Sequence, residues 1–87
     1  MGKYDALLLR ILRGTADGTV RFDELRHLLR RLGFEEAVRG GNFLFIHERM
    51  EGILNFQPNG QQAKPYQVRQ VRDVIVRDKL TGGSDGE

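Results

Sequence analysis

Eighty-seven residues, 39% hydrophobic and 30% charged, make one small globular domain and exclude a second independent core. The absence of cysteine excludes disulfides, thiolate nucleophiles and Cys-ligated zinc, and it fits a reducing compartment such as a bacterial cytoplasm. A net charge of +2 permits a nucleic-acid ligand without demanding one, although eleven of the fourteen cations are arginine, the residue suited to bidentate contact with phosphate or carboxylate.

From Lys3 to Arg13 the apolar residues Tyr4, Leu7, Leu8, Ile11 and Leu12 recur at helical spacing, and Gly14 follows where a helix stops. Apolar runs such as Ala6 to Leu9 are far too short for a membrane span, and no basic segment leads into a cleavable apolar stretch, so the expected location is cytoplasmic. Asp17-Gly18 marks a tight turn. A second helix is expected from Phe22 to Leu32, where Leu25, Leu28, Leu29 and Leu32 form the inner stripe and Gly33 ends it. Arg26, Arg30 and Arg31 face away from that stripe, as a solvated surface would, and His27 lies opposite it too.

After Gly33 the period shortens. Phe34 to Arg39, Asn42 to His47 and Gly52 to Gln57 read as a three-stranded antiparallel meander with the middle run in the centre, Gly40-Gly41 forming the first hairpin turn. In the middle run Phe43 and Phe45 point one way and Leu44 and Ile46 the other, so a sheet covered by helices on one face leaves apolar side chains on its open face. Pro58 to Lys64 is a loop, and Pro65 opens a third helix running to about Lys79, with Val68, Val71 and Ile75 inside and Arg69, Arg72 and Arg77 on the flank and outer side. Thr81 to Glu87, with three glycines and no apolar residue, reads as a disordered end. The fold class is therefore α+β in the order α-α-β-β-β-α, one domain over residues 1–80.

Most catalytic constellations are missing. The only serine, Ser84, sits in the C-terminal stretch, the two histidines have no metal-ligand spacing, and the chain calls for no cofactor or metal. His47, at the end of the middle strand, reads as a general base, an RNA contact or simply a polar strand-end residue.

Several stretches carry a resemblance. Phe22-Asp23-Glu24-Leu25 through Leu32-Gly33-Phe34, Arg39-Gly40-Gly41-Asn42-Phe43-Leu44-Phe45, Ile53 through Gly60 and Ala63-Lys64-Pro65-Tyr66 through Arg72 resemble, in order and over about residues 20 to 79, the HicA toxin family. The N-terminal helix, residues 1–14, looks like an extension. The resemblance implies a double-stranded-RNA-binding-domain-like fold, a type II toxin-antitoxin system, mRNA as ligand and a HicB-like antitoxin as partner. It also implies an endoribonuclease whose Gly-Ser-His motif carries the cleaving histidine. Here the matching positions are Gly40, Gly41 and Asn42, followed by Phe43, so serine and histidine are both absent. An amide cannot exchange a proton near neutral pH, so either catalysis is lost or it has moved to His47. Two readings follow: an RNA-binding member of the toxin family with Asn42 at the catalytic position, or a non-catalytic module that binds an antitoxin or another protein. The expected RNA contacts are Arg26, Arg30, Lys64, Arg69 and Arg72. The expected anchor for the partner is Phe43 or Leu44, whichever lies on the face the helices leave open.

Overall fold

The computed structural model describes residues 2–15 and 17–80. The disordered end expected for Thr81 to Glu87 lies outside the described residues. Helices α1 (Lys3–Arg13) and α2 (Phe22–Arg31) precede strands β1 (Glu35–Arg39), β2 (Asn42–Ile46) and β3 (Leu54–Phe56), and α3 (Pro65–Asp78) follows them. The sheet is antiparallel in the order β1-β2-β3, so the most apolar strand is central as its composition requires. Among the described residues no helix is long and apolar enough to cross a membrane.

Each helix begins with the same local device. The third helical residue, Asp5, Glu24 or Gln67, accepts a hydrogen bond from the backbone N–H of the residue before the helix, at 3.1, 3.2 and 3.1 Å respectively. This satisfies one exposed donor at each start and sets the two acids against the positive end of the helix dipole. Gly14 ends α1 in the left-handed region, and α3 ends on Lys79 in the same conformation. The apolar stripes then meet in one core in which Ile11, Val20, Leu25, Leu29, Phe45, Phe56, Val68 and Val71 are all almost completely buried. Helix α1 packs against both α2 and α3. The loop after β3 is stitched to the start of α2: the backbone N–H of Phe22 donates to Gln61 O, and that of Ala63 to Val20 O, both at 2.9 Å.

Register decides which apolar residues of β2 are covered. Phe43 is opposite Phe56 and Phe45 opposite Leu54, and these four side chains point toward the helices. Phe43 packs edge-on against Phe22, with ring centroids 5.0 Å apart, and carries the guanidinium of Arg26 4.7 Å above its ring. Of the two residues named as a partner anchor, Phe43 therefore belongs to the helix-covered side, and Leu44 alone lies on the open face.

Gly33 and His47 form a buried junction between α2 and the sheet. The His47 Nδ1 accepts the backbone N–H of Arg49 at 3.0 Å, so its Nε2 carries the proton and donates to Leu32 O at 2.9 Å. The ring also packs edge-on against Phe34, 4.8 Å between centroids. Gly33 has φ +101, and a Cβ there would stand 3.1 Å from the His47 Nε2. Gly33→Ala is accordingly expected to destabilise the domain by about 1–3 kcal/mol, from left-handed backbone strain together with displacement of the imidazole. An unchanged urea midpoint in the variant would contradict this account of the junction.

Candidate nucleic-acid and partner interface

The open face of the sheet is graded from one end to the other. At the hairpin end, Arg39 on β1 is opposite Asn42 on β2, and continuing the β2–β3 register by one residue places Gln57 on the other side of Asn42. The next row is Ala37, Leu44 and Asn55. The last row holds Glu35, Ile46 and, by the same extension, Ile53. A basic and amide-rich end thus passes into an apolar end, where Ile46 and Ile53 are 45% and 57% exposed.

Hydrogen bonds fix the hairpin end. Gln57 donates through Nε2 to the Asn42 Oδ1 at 2.6 Å, and the backbone oxygen of Gln57 accepts Nε2 of Gln67 at 2.8 Å. Gln67 is fully buried and also caps the start of α3 at Lys64. This amide relay joins Asn42 to the first turn of α3 and leaves the Asn42 Nδ2 as a donor on the open face. Gly40 and Gly41, with φ of +56 and +84, form the two-residue turn between Arg39 and Asn42, a conformation that both must adopt for the strands to pair. Serine at position 41, as in Gly-Ser-His, would have to take up the left-handed backbone.

The basic residues expected to contact RNA separate into two groups. Arg26 is held by Glu36 through two hydrogen bonds of 2.6 and 3.2 Å. The hydrogen bond to Glu36 raises the Arg26 pKa above its ordinary value, against the opposing effect of burial, so its charge is permanent but internally compensated. Arg72 makes a fork with Asp17, its Nη2 2.8 Å and Nη1 3.0 Å from the carboxylate oxygens, and also reaches Ile11 O. Both arginines are thus engaged with carboxylates before any phosphate arrives. Arg30 stands 4.0 Å from Glu36 but is largely exposed. Lys64 and Arg69 make no ion pair among the described residues. The same is true of Arg39, which sequence reasoning missed. The resemblance already contained it, but its place beside Asn42 becomes visible only once the hairpin register is known.

Arg72→Ala offers a direct separation of these roles. The fork ties α3 to the loop after α1 and is about four-fifths buried on both sides. After allowance for its partial exposure, its loss is expected to cost about 1–3 kcal/mol of stability. RNA affinity measured well below the melting temperature should not change, and an affinity loss equal to that of Arg69→Ala would assign Arg72 to the interface instead.

His47 does not reach this site. It falls on the helix side of the sheet by strand alternation, it is buried, and both ring nitrogens are bonded to backbone. It has no free lone pair with which to take a proton from a substrate. Comparisons with protein-family models, with curated proteins and with solved structures find no match to this chain.

Proposed function

We propose that this protein is a HicA-type RNA-binding module that holds RNA at the hairpin end of its open sheet face, does not cleave it, and receives a HicB-like antitoxin on the apolar end of the same face. The observation that carries the reading is the row of Arg39, Asn42 and Gln57, in which Arg39 is not neutralised by a carboxylate among the described residues and no imidazole is present, together with Lys64 at the start of α3 and Arg69 on that helix, which likewise make no ion pair among the described residues. Such a site supplies phosphate contacts and amide hydrogen bonds but no general acid or base. The element order α2-β1-β2-β3-α3 supports the same reading, since it matches the order implied by the resemblance. Contacts of this kind grip an A-form or single-stranded backbone by charge and shape with little base preference. The test is a binding titration with a short single-stranded RNA, followed by recovery and sizing of the RNA. Bound and intact RNA supports the proposal, and fragments would refute it.

The antitoxin half rests on Leu44, Ile46 and Ile53, a contiguous apolar strip next to a polar rim. A HicB-like protein encoded beside this chain should bind it, and Leu44→Asp should weaken the complex by about 30-fold or more, as expected at a buried interface anchor. The melting temperature of the lone variant should stay within a few degrees of the parent. Full retention of binding would place the partner elsewhere.

A further inference from the structure

The groove between α1 and α2 lies apart from the graded sheet face, and Tyr4, on one wall, precedes the stretch that carries the HicA resemblance. We propose that this groove binds a phosphomonoester, the dianionic terminal phosphate of a nucleotide or of an RNA end. It is an open cavity of about 440 Å³ lined by Tyr4, His27, Arg30 and Arg31. The spacing of 27, 30 and 31 brings three donor side chains to one side of α2, and no carboxylate among the described residues lines the groove.

The groove is also pre-arranged. The Tyr4 hydroxyl and the His27 Nδ1 are 3.0 Å apart, with the two rings edge to face at 6.1 Å between centroids. This orients the imidazole, and its Nε2 has no partner among the described residues. The guanidinium of Arg31 lies 5.4 Å above the Tyr4 ring and makes no ion pair among the described residues. Arg30 approaches Glu36 only to 4.0 Å, and that carboxylate is already held by Arg26 at 2.6 Å. Arg31 thus has no counter-charge among the described residues and Arg30 shares one carboxylate with Arg26, so a bound anion supplies the charge this pair lacks.

A terminal phosphate fits this set better than a backbone diester. It presents three oxygens rather than two, and it carries a charge of about −1.5 to −2 at neutral pH. Two arginine forks and an imidazole N–H can then each take a separate oxygen. The last turn of α2 also sets Arg30 and Arg31 against the negative end of the helix dipole, a role that requires neither Tyr4 nor His27.

The test uses the full chain and two RNA oligonucleotides of one sequence, one with a 5′-phosphate and one with a 5′-hydroxyl, together with adenosine monophosphate and inorganic phosphate. The 5′-phosphorylated oligonucleotide should bind about tenfold more tightly, the advantage should vanish in Arg30→Gln/Arg31→Gln, and it should persist in Arg39→Gln. Adenosine monophosphate moving the His27 ring resonances would identify free nucleotides as a source, and movement with the phosphorylated oligonucleotide alone would identify RNA ends. Tyr4→Phe, which keeps the packing and removes the hydroxyl, should weaken phosphate binding several-fold. The inference is overturned if the two oligonucleotides bind equally and neither small phosphate moves His27. It is also overturned if the arginine double variant loses thermal stability but keeps the preference, as a purely dipole-related role requires. If adenosine monophosphate occupies the groove while the 5′-hydroxyl RNA is not bound at all, the phosphate site stands and the RNA reading of the sheet face falls.

Discussion

RNA incubated with the unaltered protein should be recovered intact over times in which a Gly-Ser-His member of the HicA family degrades it, a difference of about 10²- to 10⁴-fold in rate from the loss of the general acid-base group. The geometry behind this expectation has two parts. Asn42 occupies the hairpin end with its carbonyl oxygen already held by Gln57 at 2.6 Å, so it can position a phosphate but cannot exchange a proton with it. His47, the other candidate, is sealed on the opposite side of the sheet with both nitrogens bonded to backbone. Asn42→His is the constructive counterpart and should raise the cleavage rate if the rest of the scaffold is competent. Gly41→Ser adds little to that experiment, because φ is +84 at position 41 and a side chain there costs about 1 kcal/mol or more. Rapid cleavage by the unaltered chain that His47→Ala abolishes would reverse the assignment.

The largest effect on stability is expected at Phe45. Its side chain is completely buried at the centre of β2, with the Phe56 ring 5.9 Å away on β3. Phe45→Ala should cost about 3–5 kcal/mol through lost burial and the cavity left behind. A domain of this length has a total stability of about 4–13 kcal/mol, so the variant should lie close to its unfolding threshold. Ile46→Ala, one residue along but on the open face, should change the urea midpoint little. Equal losses at positions 45 and 46 would show that the strand faces are assigned wrongly.

That contrast marks where sequence patterning is informative. The switch of period at Gly33 and its return at Pro65 locate α1, α2, α3 and the sheet, because side-chain spacing follows directly from backbone geometry. Alternation alone does not say which face of Phe43-Leu44-Phe45-Ile46 is covered, since both faces are apolar. Only the packing of α2, through Phe22 against Phe43, decides it. The arginines are harder still. Arg26 and Glu36 are ten residues apart, and Arg72 and Asp17 fifty-five, so neither engagement can be read from local charge pattern. The spacing of His27, Arg30 and Arg31 is visible in the sequence, but it looks like a solvated helix face until α1 brings Tyr4 against it.

Arg39 gains its importance in the same way. As one cation among fourteen it has no special mark, yet pairing with Asn42 sets it at the end of the face where Gln57 also stands. The glycine turn that sets this register also fixes the direction in which Arg39 and Asn42 project. Sequence, turn conformation and charge distribution therefore converge on one end of the sheet.

The most direct test of RNA holding without cleavage is a titration of a short single-stranded RNA at about 50 and 200 mM salt, with the parent chain and with Arg39→Gln/Arg69→Gln, sizing the RNA afterwards. The parent should bind at low salt, lose at least about tenfold in affinity at the higher salt, and return the RNA uncut, while the double variant should bind more weakly with a shallower salt slope. An affinity that ignores salt, or one that the double variant leaves unchanged, would contradict phosphate recognition by Arg39 and Arg69.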